Sequence, residues 1–268
     1  MMKDKVVVIT GSSQGIGKAC AWDLAQRGAR VVLNGRSADK LAQTYESFRK
    51  AGFEGMAIQG DIADPDSCEQ IIQEAVNTYG RIDYLINNAA LSSKLSAADN
   101  LSPKVYDQMF RVNSLGAIQM TIAALPHIKQ TSGGVLFIST LAAIHGIPEA
   151  SAYSSSKMAL TAFAQSLRLE LKQQSVYVGV AYLGFVENDA KKTIFDENGK
   201  LMKQPDHGFA KAMPPSAIAP ELSKMLLRRK RYRYFSGMGK ALVALQRISP
   251  WLLEQTMAKI YQRRKARE

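Results

Sequence analysis

The stretch "SAYSSSK" sets Tyr153 and Lys157 four residues apart. On a helix that spacing puts both side chains on one face, so an ammonium can stand near a phenol. A tyrosine hydroxyl titrates near 10, and a neighbouring cation favours the phenolate, moving the group towards acid/base use. Fourteen residues earlier, Ser139 closes the apolar run "GVLFIS". A hydroxyl at the carboxyl end of a buried strand can hydrogen-bond a substrate oxygen and help stabilise developing charge. Asn113, in "RVNSLG", is a polar residue inside a helix otherwise suited to packing, and a structural amide is its simplest reading. Y-x-x-x-K pairs are common on solvated helices, so the weight of the signal comes from position.

That position is set by alternating elements. Short apolar runs at 5–10 (KVVVIT), 29–34 (ARVVLN), 55–60 (GMAIQG), 82–87 (IDYLIN), 134–139 (GVLFIS) and 176–182 (VYVGVAY) read as strands buried on both faces, the signature of a parallel sheet. Helical segments of crossover length lie between them, including 16–27, 38–50 and 65–79, the last with Asp64 placed to cap and Pro65 in the first turn. The expected architecture is a doubly wound α/β sheet of about seven strands with helices on both faces and a C-terminal helical extension. Residues 1–238 form the dinucleotide-binding and catalytic domain in this reading, and 239–268 its basic amphipathic extension. The aperiodic stretch 187–215 reads as a loop covering substrate.

"TGSSQGIG", 10–17, follows the first strand and opens a helix. Its glycines permit a tight turn and close approach of backbone to a pyrophosphate, whose charge the N–H groups at a helix start favour. The second strand ends "VVLNGRSADKL", with Gly35 where an acid would receive the ribose hydroxyls and Arg36 next to it. An arginine there attracts a 2′-phosphate, so the expected cofactor is NADP(H), with Arg36 as clamp and Ser37 or Lys40 as helpers.

With these motifs in place, the chain resembles the short-chain dehydrogenase/reductase family in its single-domain form, from about residue 5 to 220. "TGSSQGIG", "GDIAD", "NNAA", the "VN" of Asn113, Ser139 and "YSSSK" stand in the family's order and spacing. The resemblance implies that Tyr153 is the general acid in reduction and the base in oxidation. It implies that Lys157 lowers the tyrosine pKa and holds the nicotinamide ribose, that Ser139 orients the carbonyl, and that Asn113 holds a water relaying protons to Lys157. It further places the cofactor on Gly11, Ser13, Gly15, Ile16 and Gly17, with Asp61 and Ile62 at the adenine. Asn88, Ala89 and Ala90 line the groove, and Gly184 and Val186 follow the sixth strand. Two departures stand out. "NNAA" ends in Ala90 where the family usually has glycine, and "AYLGFVEND" has Leu183 for the usual proline and Asn188 for a threonine at the carboxamide.

Pocket-lining candidates include Leu91, Leu95, Leu141, Ile144 and Ile147, with few charges, which favours a small hydrophobic carbonyl or alcohol such as a steroid or keto-lipid. An alcohol-oxidising or C=C-reducing member, or a non-catalytic NADP-sensing scaffold, is the alternative. Cys20 and Cys68 lack any disulfide or zinc spacing, His127, His145 and His207 show no ligand spacing, and no metal is expected. The N-terminus enters a strand at once and no run of about 18 apolar residues occurs, so the expected location is cytoplasmic.

The net charge of +12 sits almost wholly in one place: residues 224–268 hold 13 Lys and Arg against two acids. "RYRYFSG" suits a seventh strand. "SPWLLEQTMAKIYQRRKARE" suits a helix capped by Ser249, with Trp251, Leu252, Met257, Ile260 and Tyr261 offered as one face and a basic end suiting the dipole. An apolar face under a basic rim fits peripheral association with an anionic membrane. It fits equally a helix packed on the substrate pocket or on a second subunit of a homo-oligomer. Nucleic acid is disfavoured, because no recognition motif accompanies the charge.

Overall fold

Val6 and Val8 pack under one set of helices, and Val7 and Ile9 under another. A strand with period two must do this when both faces are covered. The computed structural model describes residues 2–187, 192–205 and 212–266. Among them, β1 (Val6–Ile9), β2 (Arg30–Gly35), β3 (Gly55–Gln59), β4 (Tyr84–Asn87), β5 (Gly134–Thr140), β6 (Tyr177–Leu183) and β9 (Tyr232–Tyr234) form one parallel sheet. Its order is β3-β2-β1-β4-β5-β6-β9. The chain reverses direction of travel between β1 and β4, and ligands of such sheets bind outside the carboxyl ends at that switch point.

Helices α1 (Gly15–Gln26), α2 (Ala38–Lys50) and α7 (Pro215–Leu227) cover one face. The other is covered by α3 (Pro65–Tyr79), α5 (Ala117–Gln130) and α6 (Ser151–Glu170), with α4 (Pro103–Phe110) beside α6. Local chemistry explains the ends. Asp64 accepts from the Asp66 N–H with Pro65 in the first turn of α3, and Gly80 ends that helix left-handed at φ 72°. Cys20 and Cys68 are buried, and burial pushes the Cys68 thiol up to about 12, as for inert core residues.

Two expectations change. The stretch read as a loop contains a hairpin, β7 (Thr193–Phe195) and β8 (Leu201–Lys203), closed by a turn in which the Asp196 carboxylate accepts from the Asn198 and Lys200 N–H groups and Gly199 takes φ 83°. Three-residue strands are too short to show a period; the Asn198-Gly199 pair was the available signal.

In the tail, α8 (Gly237–Ile248) and α9 (Pro250–Lys265) are both present. The inward stripe of α9 is Leu253, Met257 and Tyr261, while Trp251, Leu252 and Ile260 stay exposed. At 3.6 residues per turn Trp251 lies opposite Ile260, so the expected single face could not have closed. The tail folds back on its own chain. Gly239 lies so close to Leu141 that a Cβ there would approach it to 2.6 Å, His145 contacts Gln246 at 3.1 Å, and Lys265 pairs with Glu149 at 3.0 Å. Among the described residues no helix is long and apolar enough to cross a membrane.

Candidate active site

The glycine turn between β1 and α1 is shaped by close approach. Gly11 is left-handed at φ 62°, and a Cβ there would stand 2.8 Å from the Ala89 Cα. A Cβ on Gly17 would meet the Gly11 carbonyl at 2.5 Å and the Asn88 amide at 2.6 Å. Gly15 is also left-handed, at φ 56°, but faces open space. Asn88 clamps the turn by donating to the Thr10 and Gly11 carbonyls, and the Thr10 hydroxyl accepts from the Asn88 and Ala89 N–H groups. Gln14, at the cap of α1, makes no side-chain cap bond and no acid stands in the first turn. The 12-residue helix therefore opens uncapped towards the space beside Gly15, which is what a dinucleotide pyrophosphate requires. The residues present fit an NAD(P)-type cofactor.

At the end of β2 the Asn34 amide donates to the Ile58 and Gly60 carbonyls, holding β3 beside it. Gly35 leaves room for Ser13, whose Oγ would be 3.1 Å from a Cβ there. Arg36 is exposed and lies 3.8 Å from the half-buried Asp61. Ser37 caps α2, and the Lys40 ammonium reaches Gln14 in the glycine turn at 3.5 Å. Arg36 and Lys40 thus stand at the mouth of the groove. At Ile62 the expected adenine contact falls to the main chain. Its side chain is buried in the core and its carbonyl lies against Gly116, so only its backbone can face a ligand. Ile16 packs partly buried against the core under α1. Ala90 is exposed and its backbone is not left-handed, so nothing there demands glycine.

Tyr153 and Lys157 lie on α6 as expected, and their neighbours revise two roles. The Lys157 ammonium is buried and donates to the Ile138 carbonyl at 3.0 Å. Burial pulls it down to about 8, with the positive charge of Lys192 adding to the effect. Burial likewise pushes the Tyr153 phenol up to about 12, against an opposing hydrogen bond with the Thr140 side chain. In the chain alone, removal from water outweighs any help to the phenolate from Lys157.

The hydroxyl beside Tyr153 is therefore that of Thr140. Ser139 is buried within β5, paired across to Tyr182, and its Oγ has no hydrogen-bond partner. One residue further, Thr140 ends the strand at the ligand-binding edge and is partly open. The run "IST" offered two adjacent hydroxyls, and hydropathy alone could not say which reached the edge.

Asn113 sits in a π-helical turn (Arg111–Gly116) between α4 and α5, fully buried. Its Oδ1 accepts from the Leu91 N–H at 2.7 Å, and its Nδ2 donates to the Leu91 carbonyl at 3.0 Å and to Ser156 Oγ at 3.1 Å. All of its side-chain atoms are engaged in tying the loop after β4 to α6. The side chain is thus a structural clasp, the simplest reading of a polar residue at this place in the sequence. A π-turn at such a place is common where a helix serves a site.

The hairpin supplies a wall that the sequence reading missed. Phe195 exchanges backbone hydrogen bonds with Ser92 and Lys94 of the β4 loop, and Lys94 pairs with Glu197 at 2.6 Å. This seats the Phe195 ring in an apolar cluster with Leu101, Val105, Met109 and Ala152, against which Leu91, Tyr106 and Tyr153 pack. On the other side, Val186 bridges Met213 after β6. A Cβ on Gly184 would meet only ordinary contacts, nearest at 3.8 Å, so the backbone tolerates the departing motif there. Leu183, in place of proline, is buried as the last residue of β6. Asn188, like His207, lies outside the described residues.

A glycine-turn groove at a parallel-sheet switch point, with a Tyr/Lys pair and a strand-end hydroxyl at its edge, defines a dinucleotide-dependent oxidoreductase site. A family model, short chain dehydrogenase, matches residues 5–199. The chain belongs to the short-chain dehydrogenase/reductase family and is an oxidoreductase of that family. Among its relatives is an uncharacterized oxidoreductase YxnA of Bacillus subtilis (strain 168), 30% identical over 263 residues, covering 97% of this chain and 73% of that one. Another is the 11-beta-hydroxysteroid dehydrogenase-like 4A of Arabidopsis thaliana, 35% identical over 185 residues, covering 69% of this chain and 62% of the plant protein. The chain thus spans less than two thirds of that relative's length. Among solved structures, the alcohol dehydrogenase of Thermococcus sibiricus complexed with 5-hydroxy-NADP matches at 25% identity and TM-score 0.71, covering 86% of this chain and 95% of that one. A short-chain dehydrogenase/reductase of Burkholderia phymatum in complex with NAD shares the fold at TM-score 0.81, 20% identity, and 94% and 95% coverage.

Proposed function

We propose that this chain is an NADPH-dependent reductase of hydrophobic ketones, of steroid or keto-lipid character. The observation that carries the reading is the placement of Tyr153 on α6 beside the Thr140 side chain at the carboxyl edge of β5, with the Lys157 ammonium buried behind it on the Ile138 carbonyl. When bound, the nicotinamide supplies the hydride; the protein supplies placement and a proton. Tyr153 is protonated at neutral pH, its phenol being pushed up to about 12, which suits a donor to the oxygen of a carbonyl being reduced. Thr140 orients that oxygen from the strand end. Lys157 offers its ammonium to the nicotinamide ribose, and Asn113 fixes the β4 loop against α6.

Support for NADPH over NADH comes from Arg36 just after β2 and Lys40 in the first turn of α2, where Gly35 removes the acid that would repel a 2′-phosphate. The plant relatives' hydroxysteroid dehydrogenase names and the apolar wall of Phe195, Leu91 and Tyr106 support a large apolar substrate. Exposed Leu115, Ile122 and Leu169 support a homo-oligomer. The test follows NADPH absorbance against steroid, long-chain keto-lipid and small ketones, with Tyr153→Phe as control. Turnover of an apolar ketone that vanishes in the control is expected. Activity surviving in Tyr153→Phe would overturn the mechanism.

A further inference from the structure

The basic tail divides into an inner and an outer side. On α8, Gly239, Leu242, Val243 and Gln246 turn inward, while Lys240, Ala241, Ala244, Arg247 and Ile248 are exposed. On α9 the inward stripe of Leu253, Met257 and Tyr261 leaves Trp251, Leu252, Lys259 and Arg263 within about a third of the circumference on the opposite side. Ile248 is 82% exposed and Trp251 67%. Large apolar side chains left in water beside lysines and arginines contribute nothing to the fold. At the foot of α8, Lys230, Tyr232, Arg233, Tyr234 and Lys240 line a cavity of about 240 Å³; Arg233 also pairs with Glu221.

We propose that the outer side of α8 and α9 docks on an anionic phospholipid surface. Ile248, Trp251 and Leu252 enter the headgroup boundary, and Lys240, Arg247, Lys259 and Arg263 meet lipid phosphates. The β9 cavity is sized and charged to receive one headgroup phosphate.

Three observations choose lipid as the occupant. Residues 224–268 carry 13 cations against two acids, whereas the rest of the chain is nearly neutral, so the attraction is confined to this side. Tryptophan and leucine interleaved with cations on one exposed face suit the amphipathic boundary of a bilayer, where an indole sits with its polar edge in water. A second copy presenting the same patch would set cation against cation. The inner side of α8 rests on Leu141 and His145, and Lys265 of α9 pairs with Glu149, all in the segment leading to Tyr153, so the docked side adjoins the route to the site. The inference does not depend on the redox reading.

The experiment is co-sedimentation of the full chain with phosphatidylcholine vesicles, with and without phosphatidylserine. Two variants accompany it: Lys240→Glu/Arg247→Glu/Lys259→Glu, and Trp251→Ser/Leu252→Ser. All substituted residues are exposed, so thermal melting and NADPH binding should match the parent and show that any loss is one of docking. Binding to phosphatidylserine vesicles alone is expected, weakened at least ~100-fold by the charge reversals and at least tenfold by the apolar pair. Equal partitioning to neutral vesicles, no partitioning at all, or loss of self-association instead of vesicle binding in the Trp251 variant would each overturn it. Retention on nucleic acid without vesicle binding would do the same.

Discussion

Lys157→Met separates what the lysine does for the fold from what it does for the reaction. The ammonium is buried with 2% of its surface exposed and is held at about 8 instead of its ordinary 10.5. Keeping it charged in the folded chain therefore costs about 3 kcal/mol. Below pH 8 the group is charged both folded and unfolded, and the full cost applies. Between pH 8 and 10.5 the folded chain holds fewer protons than the unfolded one, so stability rises with pH. Above 10.5 the cost is gone.

Methionine matches the stem without the charge, but leaves the Ile138 carbonyl without its donor, a loss of about 1 kcal/mol. The variant should thus be about 2 kcal/mol more stable than the parent at pH 7, which for a chain of this size is a melting temperature higher by about 4–8 °C. Near pH 10.5 the advantage should vanish or reverse. Thermal melts of both proteins at pH 7 and 10.5, with NADPH turnover measured alongside, make the comparison; titrations common to both cancel. A variant less stable than the parent at pH 7, or a gap of the same size at both pH values, would refute the reasoning. Loss of turnover in a more stable protein would show that the site is maintained against the preference of the fold.

Two further outcomes follow from the same geometry. Arg36→Ala should weaken NADPH binding about 10- to 100-fold, the value of a charged contact to phosphate, with little change for NADH in parallel titrations; equal effects would remove the 2′-phosphate assignment. Thr140→Val should lower kcat by about 10²-fold with the fold intact, whereas Ser139→Ala should leave kcat near that of the parent, and steady-state kinetics of the pair decides which hydroxyl serves the substrate.

Much of the frame was legible because each device is local. Continuous apolar runs such as VVVI and VVLN can be satisfied only between two helical layers, and the Asp64-Pro65 start of α3 states its own boundary. The glycine turn was legible for the same reason, since close approach at Gly11 and Gly17 excludes a side chain. What escaped depends on contacts between distant segments. Whether Ser139 or Thr140 meets Tyr153 is settled by where β5 stops against β6 and α6. The Asn113 clasp needs Leu91 and Ser156 brought from 22 and 43 residues away. The inner stripe of α9 was missed because Trp251 and Leu252 are as apolar as Leu253, and only the surface they meet distinguishes them.

The hairpin of β7 and β8 is attached to the β4 loop largely through main-chain hydrogen bonds at Ser92, Lys94 and Phe195. Such bonds do not read side chains, so the attachment survives changes in the residues it carries. The wall facing Tyr153 can therefore be rewritten while the sheet, the glycine turn, Tyr153 and Lys157 stay as they are. On the proposed function, the hairpin is a replaceable wall fastened to a fixed frame, and exchanging residues 192–205 between relatives is the direct way to ask whether specificity moves with it.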